Sequence, residues 1–187
     1  MLKKKCFAIF FLVLMPFFST YAALPAVESL FKIINSRFIF MQELAAAKYS
    51  HNYPIDFAVP ERIALRQIYF DADKLGFDVR TVRPFITLQV LIGKHIQENW
   101  FLFWRQHGFI KNYLPKDLQG VLIPELMRYD QQILLALAEA VPILQTPANA
   151  AEIEKLANDL ITASFVSPTQ KKSLVDTLEK IRMKPTK

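Results

Sequence analysis

The chain has 187 residues, with 23 lysines and arginines against 17 acidic residues, a net charge of +6, four glycines and one cysteine. This is enough for one domain with a sizeable core, and the single Cys6 excludes an intrachain disulfide. Lys3, Lys4 and Lys5 hold much of the excess charge, so the basic balance does not argue for a nucleic-acid partner. These lysines, the apolar run Cys6 to Phe18 and the small residues Ser19 to Ala23 have the three parts of a secretory signal peptide. The run is short for a membrane span, which needs about 20 residues. Cleavage near Ala22 or Ala23 is expected, with an uncleaved anchor as the alternative. Removing residues 1–22 takes away three lysines, no acid and the only cysteine. That leaves about 165 residues with a charge of +3, no thiol and no further membrane segment.

The rest reads as all-α, a bundle of about six helices in one domain over residues 23–187, because apolar spacing is helical nearly throughout and hairpin signals are absent. Leu30, Ile33, Ile34, Arg37, Met41, Leu44 and Lys48 place a first helix over Pro25 to Ser50. The segment from His51 to Asp56 breaks the pattern. Pro60 opens a second helix that stops near Gly76. Asp78 is suited to cap a third, which continues towards Trp104 and ends by Gly108. A fourth runs from about Leu118 or Pro124 to Val141. Thr146-Pro147 and Ser167-Pro168 each read as an N-cap followed by a first-turn proline. They start helices over Ala148 to Ser164 and Thr169 to Ile181. Met183 to Lys187 are expected to fray as a basic tail.

Much chemistry is missing. There is no metal-binding motif, no nucleophile elbow and no phosphate-binding glycine loop, so neither a metal nor a cofactor is expected. His51, His95 and His107 are scattered. Trp100, Phe101, Phe103 and Trp104 read as packing surface rather than a base-stacking platform. One pattern stands out. Arg37 and Lys48 are eleven residues apart, which brings them back to one helix face about 16 Å apart along the axis. Met41 and Leu44 lie between them. Such a stripe is either a core face whose ends snorkel to water or one wall of a pocket for a small dianion.

The order of residues is similar to that of a known family. Leu30 to Arg37, then Lys48, then Pro54-Ile55-Asp56 resembles the opening of the secreted, gamma-class, all-helical chorismate mutases. Gly76-Phe77-Asp78, Val82-Arg83-Pro84-Phe85, Gln89 and Gln97 continue the match, and Leu126 to Leu134, with Asp130-Gln131-Gln132, resembles a later helix of the class. The resemblance covers a core of about residues 27–140 and leaves residues 141–183 as C-terminal helices. It implies a type II-like chorismate mutase fold, export to the periplasm or medium, and the cofactor-free conversion of chorismate to prephenate, a step in aromatic amino acid biosynthesis. It also implies a homodimer, with no nucleic-acid partner and no membrane contact after cleavage of the leader.

Such an enzyme need not move a proton or form a covalent bond to substrate. It must hold a dicarboxylate in its compact conformer and stabilise charge developing on the breaking ether oxygen. Carried over by position, Arg37 binds a carboxylate, Lys48 donates to the ether oxygen, and Gln97 is the second donor. Gly93, one helical step before Gln97, leaves room for ligand. An amide donates without being protonated, so activity should not require acid pH.

The chain departs from the family at two cations. An arginine expected early in the second helix falls on Pro60, with Arg62 and Arg66 the nearest substitutes; the reading that opposes this is a solvated helix face. A later arginine falls on Gln132, with Arg128 one turn before it. The competing functions are a catalytically weak or inactive relative that binds an anionic ligand or protein partner, and a helical adaptor with no small-molecule pocket.

Overall fold

The computed structural model describes residues 24–56 and 58–185; the proposed signal peptide and Cys6 lie outside the described residues. The described residues form six α-helices: α1 (Pro25–Ser50), α2 (Ala58–Lys74), α3 (Val79–His107), α4 (Ile123–Leu144), α5 (Ala150–Leu160) and α6 (Pro168–Leu178). No single one of them is long and apolar enough to cross a bilayer.

α1 is the central element. It buries residues around most of its circumference, including Leu30, Phe31, Ile34, Phe38, Met41 and Leu44, and it packs on α3, α4 and α5. α2 packs on α3 and α4, so the four helices leave a space between α1 and α2. The paired levels Arg37 with Gln89, Met41 with Gly93 and Lys48 with Gln97 rise together along both helices, so α1 and α3 run parallel. α5 and α6 pack on each other and close the other side of α1 and α3.

The capping signals act largely as their chemistry dictates. Asp78 accepts from the Arg80 N–H at 3.1 Å, and Gly108 ends α3 with φ +90°, a conformation that costs glycine little. Ser167 and Gln170 form a reciprocal capping box at the start of α6. Several expectations are corrected. α2 starts at Ala58, ahead of Pro60. A π-helical turn, Leu118–Leu122, feeds directly into α4, which runs on through Pro142 to Leu144. Pro142 has no N–H to give the Ala138 carbonyl, so one helix hydrogen bond is missing there, and α4 ends two residues later. Thr146 makes no side-chain cap; its hydroxyl donates to the Pro142 carbonyl at 3.0 Å, and a short 3₁₀ turn, Pro147–Asn149, precedes α5.

α5 stops at Leu160 rather than Ser164 because Asn35 Oδ1 on α1 takes the Thr162 and Ala163 N–H groups, each at 2.9 Å. α6 stops at Leu178. The tail is not frayed as far as it is described. Met183 bridges Phe77, and the Lys184 N–H donates to the Gly76 carbonyl at 2.7 Å. The chain's end is thereby tied to the turn between α2 and α3.

Candidate functional site

The α1 stripe faces inward along its full length. Arg37 is 4% exposed, Lys48 7% and Gln97 4%. Burying a cation or an amide is costly unless it is hydrogen-bonded, and each of these three is. Arg37 Nε donates to Asp130 Oδ1 on α4 at 2.7 Å, and Nη1 donates to the Gln89 carbonyl at 3.4 Å. Lys48 Nζ donates to the Ile55 carbonyl at 2.8 Å and to Gln97 Oε1 at 2.9 Å. Gln97 Nε2 in turn donates to the Gly93 carbonyl at 3.1 Å and leans on Met41 Sδ at 3.7 Å. The amide is therefore oriented with its oxygen on the ammonium and its two N–H bonds on weaker partners.

These groups surround a cavity of about 130 Å³. α1 contributes Arg37, Met41, Leu44 and Lys48; α3 contributes Val90, Gly93, Lys94 and Gln97. α2 adds Ala64, Leu65 and Ile68, and α4 adds Ile123, Leu126 and Asp130. Ile55, from the segment between α1 and α2, and Leu118, from the π-helical turn, complete the wall. Three basic side chains and one acid thus line an otherwise mostly apolar space, which favours an anion with an apolar body. At the edge, Lys94 Nζ pairs with Asp56 Oδ1 at 2.8 Å. The hydrogen bond and charge of Lys94, with a smaller effect from the charge of Lys48, hold the Asp56 carboxyl below its usual range against a modest desolvation.

Arg37, Lys48, Gln97 and Gly93 meet around the cavity as the sequence suggests. Gly93 also has a packing role, because a Cβ there would sit 3.1 Å from Met41 Sδ and 3.6 Å from Arg37 Nη1. Its missing side chain brings α1 and α3 together as much as it leaves room for ligand. The other candidates are not at the site. Arg62, Arg66 and Arg128 are exposed and Gln132 is half-buried, and none of them lines the cavity. The reason is angular. Arg66 stands two residues from both Ala64 and Ile68, about 200° around the helix, whereas Arg62, one turn before Leu65, is exposed near the start of the helix. Arg128 and Gln132 stand two residues from Asp130, with the same result. Arg128 instead pairs with Glu125 and lies over the Tyr129 ring.

Two charged lining residues escaped the sequence reading. Asp130 carried a helical signal, one turn from inward-facing Leu126. Lys94 had one too, three residues before Gln97 on the same face.

No family model matches the chain. It is 26% identical over 155 residues, 82% of both chains, to the monofunctional chorismate mutase of Enterobacter agglomerans. Its structure superposes on the secreted chorismate mutase from Yersinia pestis with a TM-score of 0.72, at 19% identity, covering 83% of this chain and 98% of that one. The chorismate mutase from Burkholderia thailandensis gives 0.69 at 23% identity, covering 83% and 98%. The sequence is thus similar to that of a chorismate mutase, and the fold is that of the solved chorismate mutases.

Proposed function

We propose that this protein is a chorismate mutase that converts chorismate to prephenate by a cofactor-free pericyclic rearrangement. The observation that carries this reading is the buried Lys48–Gln97 pair at 2.9 Å on the wall of a cavity that also holds Arg37. The reaction breaks one carbon–oxygen bond and forms one carbon–carbon bond within a single molecule, with no proton or electron exchanged with the protein. Catalysis then consists of holding the folded conformer and meeting charge where it develops.

In this mechanism Arg37 binds one carboxylate through its guanidinium, which suits bidentate pairing. Met41, Leu44 and Leu65 press on the apolar ring and exclude water, strengthening the polar contacts. Lys48 donates to the ether oxygen. Gln97 turns the Nε2 hydrogen now near the Met41 sulfur towards the same oxygen, giving up only a weak sulfur contact.

The apolar leader and the likeness to a secreted enzyme support export to the periplasm or medium. Exposed Leu91, Leu102 and Phe103 on α3 support a homodimer. The test is direct. Purified protein incubated with chorismate yields prephenate, followed by proton NMR, at a rate far above the spontaneous one.

A second reading, a weak or inactive relative that binds an anionic ligand, draws on Arg37 being already paired with Asp130 and on the outward position of Arg62, Arg66 and Arg128. It predicts saturable binding of chorismate in calorimetry with no prephenate formed.

A further inference from the structure

We propose that Lys94 is the cation for the substrate's second carboxylate and that Asp56 holds its ammonium in place until the substrate arrives; this rests on the chorismate mutase reading above. A dicarboxylate needs two positive partners besides the donors at its ether oxygen. Arg37 supplies one and shares its charge with Asp130. Arg62, Arg66 and Arg128 are turned away from the cavity. Of the basic side chains lining it, Lys94 is the one that remains once Arg37 and Lys48 have their roles.

Its setting fits the role. Lys94 follows Gly93 and precedes Gln97 by one turn, so its stem runs along the wall while its head reaches the rim, with the side chain 26% exposed. Its partner Asp56 is 74% exposed. An ion pair so open to water is weak, and a ligand carboxylate entering a drier space can displace it. The two lysines also hold adjacent residues of one segment, Lys48 the carbonyl of Ile55 and Lys94 the carboxylate of Asp56. A substrate oxygen that takes either ammonium therefore competes with the contacts that hold this segment over the cavity. A sequence lacking the arginine at the start of α2 thus has a lysine on α3 that meets the same electrostatic need from another wall.

Steady-state kinetics on the full-length chain separate the outcomes. Lys94→Met should raise KM for chorismate about tenfold or more with a smaller change in kcat, the mark of binding lost at a group remote from the breaking bond. Lys94→Arg should restore most of the affinity, and Asp56→Asn should lower KM by removing the competitor. Arg66→Gln and Arg128→Gln serve as controls and should match the wild type. An active wild type whose Lys94→Met variant is folded by circular dichroism and keeps KM within twofold overturns this assignment alone. A wild type that forms no prephenate overturns the chorismate mutase reading, and this assignment with it.

Discussion

The Lys48 ammonium on α1 donates to the side-chain oxygen of Gln97 on α3 at 2.9 Å, and both groups are buried. The pairing fixes which end of the amide faces the cation and leaves the nitrogen end to donate. No proton has to be gained or lost for this, so the wild-type rate should be flat across neutral pH. Gln97→Glu changes that. A carboxyl beside Lys48 is driven towards its ionised form, which accepts hydrogen bonds but cannot donate one. The variant should lose about 10²-fold in kcat/KM at neutral pH and recover as pH falls into the carboxylate range. Parallel pH–rate profiles of the two proteins check this. A wild-type rate that collapses above neutrality contradicts it.

Asp130 neutralises Arg37 at 2.7 Å, with both side chains largely buried. Asp130→Asn leaves a buried guanidinium without a countercharge, which costs about 3 kcal/mol of stability. The same change makes the cavity more positive. Urea unfolding should therefore show a loss while KM for an anionic substrate falls. A stable variant with unchanged KM contradicts the pairing.

At Gly93 two effects oppose each other. Alanine is about 1 kcal/mol better than glycine within a helix. Its Cβ, however, would stand 3.1 Å from Met41 Sδ, tight enough to move that flexible side chain, and 3.6 Å from Arg37 Nη1. The helix gain and the packing loss are of similar size, so thermal stability should change little. Activity should not escape, because Met41 and Arg37 both line the cavity. A several-fold loss in kcat/KM at near-constant Tm is the expected result.

The start of α3 gives a stability test with a defined pH dependence. Asp78 accepts from the Arg80 N–H, and the side-chain hydrogen bond from Arg80 holds its carboxyl below the usual carboxylate range. A lowered pKa in the folded state stabilises above the unfolded value, and that contribution is lost as pH falls through the folded one. Asp78→Ala should therefore lower Tm at neutral pH, and the gap to wild type should close in strong acid. A gap that is constant with pH would mean that the carboxylate charge is irrelevant to the cap.

The extent of α1 was legible because one long 3.6-residue stripe with a proline at its start leaves few alternatives. The same periodicity placed Arg37 and Lys48 on one face, while Gln97 came from the resemblance to the chorismate mutases. It served less well where tertiary contacts decide. Asn35 ends α5 early by taking two backbone donors from across the bundle, and nothing local to residues 160–164 announces this. The tail is held by Phe77 and Gly76, more than a hundred positions earlier. Arg62, Arg66, Arg128 and Gln132 were chosen by alignment to expected positions. The helical angle from Ala64, Ile68 and Asp130 turns Arg66, Arg128 and Gln132 outward, an argument that needs to know which residues face in. Lys94 and Asp130 were within reach of the i+3 and i+4 rule once Gln97 and Leu126 were placed.

The proposed function requires that buried cations on α1 stabilise the transition state of a chorismate rearrangement. The most direct test is the first-order rate of chorismate loss at saturating substrate for wild type, Arg37→Ala and Lys48→Ala. Each substitution should lower the rate by about 10²-fold or more, with Lys48→Ala acting mainly on kcat. Two folded variants that turn over chorismate as fast as the wild type would contradict the claim.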